Sequence, residues 1–139
     1  MTLADLITRV ESGSGSDRQL DADICVEINW ANTKQKPLIV GHFHEKIVGM
    51  IGVLYENGGP ISTGDAPPLT SSLDAIRALF KARLEGAWVE ITDDSRPRNP
   101  CLVSIGSQVG KTLFVEVEHL DTYRAFLSAV LKAIAAKEG

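Results

Sequence analysis

The residues best suited to chemistry are few and scattered. His42 and His44 form a His-x-His pair. On a strand, positions two apart share a face, so both rings could share one divalent metal. A metal site needs a third donor and often a fourth. His119, Cys25, Cys101 and Glu45 are the evident additions, and none stands at a spacing diagnostic of zinc. Structural histidines are the default for His42, His44 and His119, and no metal or other cofactor is expected. The run Ile105-Gly106-Ser107-Gln108-Val109-Gly110-Lys111-Thr112 invites comparison with a phosphate loop. That motif needs four residues between its glycines and a helix after Lys-Thr to aim N–H groups at phosphate. Here three residues separate Gly106 from Gly110, and Leu113-Phe114-Val115-Glu116-Val117 reads as a strand. A hairpin turn is the expected structure.

The nucleophile candidates are equally thin. No Gly-x-Ser-x-Gly elbow is present. Cys101 follows Pro100 at the start of a strand, on the side expected to be buried, where cysteine acts as a small apolar residue. A thiolate paired with His119 would need the two side by side, which their separation along the chain does not dictate. Asp93-Asp94 suggests a carboxylate pair, yet the segment around Pro97 reads as a turn. Arg96 and Arg98 flank that proline and are candidates for gripping a partner's carboxylate, with Asp93 and Asp94 at hand to neutralise them. No catalytic set assembles, and a non-enzymatic role is the favoured reading.

Composition narrows the classes. The 139 residues carry 14 Lys+Arg and 18 Asp+Glu, a formal net charge of −4. Residues 1–30 hold six acids against two bases, which accounts for the whole excess; the remainder balances. Without clustered Lys and Arg, binding to nucleic acid or to an anionic membrane is not expected. A membrane helix needs ~17–25 apolar residues, and the run from Ile47 to Tyr55 is too short and holds two glycines. Asp5 and Arg9 break the apolar N-terminal stretch, so no signal peptide is expected. Two cysteines do not make a disulfide framework. The expectation is a single domain over 1–139 in a reducing, cytoplasmic setting.

The elements that must position these residues follow from periodicity. Thr2 and Asp5 form a capping-box pattern, Leu3, Leu6, Ile7 and Val10 fall on one helical face, and Gly13 stops the helix. Residues 16–30 fit two patterns. Ser16 with Gln19 and the Leu20, Ile24, Ile28 spacing suit a helix, while 24–30 alternates like a strand; the helix is preferred. Residues 37–55 predict a hairpin turning near His44-Glu45-Lys46, and 56–70 a loop rich in Gly and Pro. A helix capped by Ser71 or Ser72 follows, with Leu73, Ile76, Phe80 and Leu84 as its stripe and Gly86 at its end. Strands over 87–92, 101–105 and 112–118 form a meander. A final helix capped by Asp121 carries Tyr123, Phe126, Leu127, Val130, Leu131 and Ile134.

The meander has two unequal faces. One collects Ala87, Val89, Ile91, Cys101, Val103, Ile105, Leu113, Val115 and Val117 and must be covered. The other is mostly polar, but Trp88, Leu102 and Phe114 on it predict an apolar patch large enough to need cover too. Four helices are available for two layers. The expected fold is therefore α/β of the α+β kind, a three-layer α/β/α sandwich with a mainly antiparallel central sheet. The rival is that Trp88, Leu102 and Phe114 meet a second copy or a partner.

Blocks spread over about half the chain carry a family resemblance. They are Leu3-Ala4-Asp5-Leu6-Ile7 with Asp17 to Ile24, Pro67 to Ala75 with Glu85-Gly86-Ala87-Trp88, and the Ala-rich Phe126 to Ala133. In these the chain resembles small phage and prophage proteins of the phage α/β/α-sandwich domain type. The resemblance implies the sandwich, a helix over 16–29 and no particular reaction. The expected function is that of a non-enzymatic phage or prophage accessory protein acting in the bacterial host's cytoplasm by binding a host or phage protein, for instance as an inhibitor of a host defence system. A homo-oligomer is compatible with it. The alternatives are a small-ligand or metal-binding domain, in the extreme a hydrolase, built on His42, His44 and the 56–70 loop, and a virion structural component.

Overall fold

The computed structural model describes residues 2–28, 30, 38–45, 50–56, 62–65, 67–92, 100–107 and 114–138, with 38–65 described by backbone and pairing. The chain is mixed α+β. Its elements are α1 (Leu3–Ser12), α2 (Arg18–Ile28), β1 (Leu38–Glu45), β2 (Met50–Glu56), β3 (Ser62–Asp65), α3 (Leu73–Arg83), β4 (Ala87–Thr92), β5 (Cys101–Ser107), β6 (Phe114–His119) and α4 (Thr122–Glu138). The strands form two antiparallel three-stranded sheets, β1-β2-β3 and β4-β5-β6, rather than one central sheet. α2 packs on β1 and β2, α4 packs on β5 and β6, and α1 and α3 pack on α4. The stretch expected to be an unbroken loop over 56–70 contains β3, which pairs with β2. Val-Leu-Tyr on β2 offers a β-prone partner to the polar Ser62–Asp65 segment, and cross-strand pairing overrides that segment's weak propensity. The first hairpin turns later than expected. His44 and Glu45 belong to β1, with Glu45 opposite Met50.

The helix ends follow local rules. In α1 the Thr2 hydroxyl accepts from Asp5 N–H at 3.2 Å, and the Asp5 carboxylate accepts from Thr2 N–H at 3.0 Å. Those hydrogen bonds hold the exposed Asp5 carboxyl below its ordinary pKa. α2 is a helix, and the strand-like alternation over 24–30 is overruled by burial: Leu20, Ile24, Cys25 and Ile28 lie inward while Val26 is exposed. Its cap is Asp17, not Ser16. Asp17 Oδ1 accepts from Leu20 N–H at 3.0 Å, and a carboxylate at a helix start also complements the dipole. Ser72 caps α3 through Ala75 N–H at 3.2 Å. Leu73, expected on the α3 stripe, is 42% exposed, and Leu79 takes its place inside. Gly86, at φ 82°, turns the chain into β4 in a conformation that glycine adopts without strain.

α4 forms the centre of the core. Ala125 to Leu131, Ala133 and Ile134 are all buried, so the helix is enclosed on more sides than the one-stripe pattern expected from sequence. Its N-terminus is pinned by a buried cation. Arg124 is 2% exposed, and its guanidinium donates to Val10 O at 3.2 Å, Arg9 O at 3.3 Å and Gly15 O at 2.8 and 3.2 Å. These acceptors include the last carbonyls of α1, so the charge is balanced by the negative end of a helix. Asp121 caps α4 as expected, accepting from Tyr123 N–H at 2.9 Å and from Gly15 N–H at 2.8 Å. A second polar tie is buried between α2 and the turn before α3. Asp21 accepts from Thr70 N–H at 2.8 Å and pairs with Arg18 at 2.7 Å, while the Thr70 hydroxyl accepts from Asp17 N–H at 2.8 Å. Burial raises the Asp21 carboxyl above its ordinary pKa, and the bonds to Thr70 and Arg18 pull it part of the way back.

Two predictions follow from these ties. Arg124→Ala orphans the Arg9, Val10 and Gly15 carbonyls and should cost ~3 kcal/mol or more in denaturant unfolding. Arg124→Lys should recover little, because one ammonium cannot serve acceptors spread over two segments. Asp21 has a folded pKa above its unfolded one, so its protonated form favours folding. That contribution is full below the unfolded value near 3.8 and is lost as pH rises through the folded value. Stability of Asp21→Asn relative to the parent should therefore improve as pH is raised across that interval, measured by urea unfolding at each pH.

Candidate functional site

The β4-β5-β6 sheet has one covered and one open face. Cys101, Val103, Ile105 and Val117 are buried against the core that contains α4. Cross-strand pairs share a face, so the register defines the opposite one. Trp88, Gly106 and Phe114 make its first row, Glu90, Ser104 and Glu116 the second, and Thr92, Leu102 and Glu118 the third. Phe114 is 59% exposed; Trp88 and Leu102 are half-buried. The three residues expected to make one apolar patch do share a face. They do not touch as one patch, because the acidic row separates Leu102 from the aromatic row, four residues or ~13 Å along the strand. At the edge of the covered face, Ile91 on β4 is 40% exposed, because α4 sits over β5 and β6.

Gly106 is the feature that shapes the aromatic row. A Cβ built there would overlap Trp88 Cζ2 and Cε2 and crowd Nε1. The indole therefore lies across β5, in the direction of Phe114 on the far strand. Only a residue without a side chain lets the ring settle that closely on the backbone. The Gly106 that had drawn attention as half of a phosphate-loop look-alike serves packing instead. β5 runs through Ser107 and Phe114 starts an antiparallel strand, as a hairpin requires.

The other candidates are placed as follows. His42 and His44 stand on β1 opposite Val53 and Ile51. His119 lies opposite Cys101 in the ladder, but both its ring nitrogens are engaged: Nδ1 accepts from Asp121 N–H at 2.9 Å, and Nε2 lies 2.9 Å from Glu11 O. Those two bonds tie β6 to the end of α1. Cys101 is buried, and burial pushes the Cys25 thiol up to about 12, so Cys25 stays a protonated core residue. Asp93, Asp94, Arg96 and Arg98 lie outside the described residues. Among the described residues no three His, Cys, Asp or Glu side chains converge as a metal site. A concavity of about 510 Å³ opens elsewhere, between Ser14–Ser16, Thr70, Ser71, Leu120, Asp121 and Tyr123. Its Thr70 hydroxyl and Asp121 carboxylate are already spent on backbone N–H groups.

The polar character expected of the open face is acidic. Glu90, Glu116 and Glu118 are exposed on the open face, and the strand periodicity alone would have assigned them to it. Gly106→Ala should force the indole off β5. Near-UV circular dichroism should lose the Trp88 part of its tryptophan signature and keep that of Trp30, and stability should drop by ~1–3 kcal/mol, the usual cost of overpacking a filled site. An unchanged spectrum and melting curve would contradict the placement of Trp88. Compared with known proteins, the chain matches no family model, no curated protein and no solved structure.

Proposed function

We propose that this chain is a non-enzymatic binding protein, of phage or prophage origin, that docks another protein on the open face of β4-β5-β6 in the bacterial cytoplasm. An inhibitor of a host defence system is the specific form of that reading. The observation that carries it is Phe114, 59% exposed on the face turned away from α4 and in one row with Trp88. Burying such an aromatic ring is worth ~1.5–3 kcal/mol, which a partner would collect and the free chain forgoes. Aromatic anchors in a row with polar surroundings match the anatomy of interaction surfaces. The resemblance to phage sandwich domains supports the same reading. On this reading the α/β/α arrangement is completed from outside, with the partner standing where a second helical layer would lie.

The test compares variants rather than relying on capture alone. Phe114→Ser and Leu102→Ser alter the open face, and Leu120→Ser and Tyr123→Ser alter exposed residues beside the concavity. Wild-type protein should recover a host or phage protein from lysates that the first pair loses and the second pair keeps. Capture indifferent to Phe114 and Leu102, or no specific capture from any natural host, would contradict the proposal.

A further inference from the structure

The net charge of −4 hides two kinds of acid. The N-terminal acids are mostly engaged in ion pairs and helix caps. Asp23 pairs with Arg9 at 2.7 Å, Asp21 with Arg18 at 2.7 Å and Glu11 with Lys132 at 3.1 Å. Asp5 closes the α1 capping box, and Asp17 caps α2. Of the six acids in residues 1–30, Glu27 alone has no such role among the described residues. The open sheet face is different. Glu90, Glu116 and Glu118 are exposed there, with no cationic partner among the described residues. None of β4, β5 or β6 contains a Lys or Arg. Glu90 and Glu116 flank Ser104 from the two outer strands, so their backbones stand ~10 Å apart with small side-chain bulk between them.

We propose that the partner of this face presents an extended cationic segment in which Arg or Lys and apolar side chains take turns at every second position, so that both kinds lie on the side facing the sheet. The inference rests on the reading of this face as the docking surface and adds the partner's chemistry. The cationic heads meet Glu90, Glu116 and Glu118, and the apolar side chains seat against Trp88 and Phe114. Exposed aromatic faces beside carboxylates also attract a guanidinium directly. The same charges exclude two other occupants. A second copy docked symmetrically through this face would bring three more carboxylates and no cation from β4, β5 or β6 to meet them. A nucleic acid would meet carboxylates where it needs Lys and Arg.

The probes are two synthetic seven-residue peptides, Arg-Ser-Leu-Ser-Arg-Ser-Leu and the same sequence with Glu in place of Arg, titrated into the full chain and followed by amide NMR. The basic peptide should shift resonances of β4, β5 and β6, and its affinity should fall several-fold between about 50 and about 300 mM salt as screening shortens the reach of the charges. The triple variant Glu90→Gln, Glu116→Gln, Glu118→Gln changes only exposed positions and should bind roughly tenfold more weakly, as expected for the loss of three exposed ion pairs. The acidic peptide should not bind. Phe114→Ser separates the two levels of the account. Binding lost in Phe114→Ser but unchanged in the triple variant and flat in salt would overturn the cationic partner and leave the docking surface standing. Binding unaffected by Phe114→Ser, or shifts confined to α1 and α2, would overturn both.

Discussion

The fold depends on α4 being buried on more than one side. Its run from Ala125 to Ile134 is almost wholly enclosed, with α1 and α3 packed on it and β5 and β6 laid against it. A helix used in this way can cover only one face of the sheet beside it. The consequence is a sheet with a dry side built from Cys101, Val103, Ile105 and Val117 and an open side carrying Trp88, Leu102 and Phe114. Arg124, Asp121 and His119 hold the arrangement in register, since all three tie the β6–α4 corner to the end of α1 or the segment just after it. The polarity of that corner is structural, and its groups are consumed by backbone partners.

Much of this was legible in the sequence because it is local. The α1 capping box, the Asp121 cap, the bounds of β4 and the alternation of the meander depend on neighbours within a few residues. The preference for a helix over 16–30 rested on the Leu20, Ile24, Ile28 spacing, which the burial of those residues matches. What could not be read depends on distant pairing. β3 exists because β2 lies beside it, and the strands divide into two sheets through packing that no local pattern encodes. The exchange of Ser16 for Asp17 as the α2 cap was a choice between neighbouring residues with similar capping ability, decided by the bond from Asp17 N–H to Thr70, 53 residues away.

Charge illustrates the same divide. The sequence places the whole acidic excess in residues 1–30, which suggests an acidic N-terminal face. Glu11 finds Lys132 across the fold, Asp21 finds Thr70, and Asp23 shares Arg9 with a different helix. Once these pairs are counted, three of the carboxylates without a cationic partner among the described residues, Glu90, Glu116 and Glu118, gather on one face of a sheet in the balanced part of the chain. Distribution along the chain and distribution over the surface are different quantities, and the second governs recognition.

Hydroxyl-radical footprinting of the free protein, read by mass spectrometry at each side chain, addresses the central claim most directly. Phe114 should be oxidised at a rate near that of an unfolded control while Val103, Ile105 and Val117 are strongly protected. Protection of Phe114 equal to theirs, in a sample shown to be monomeric, would mean that the chain covers this face itself and would contradict the account.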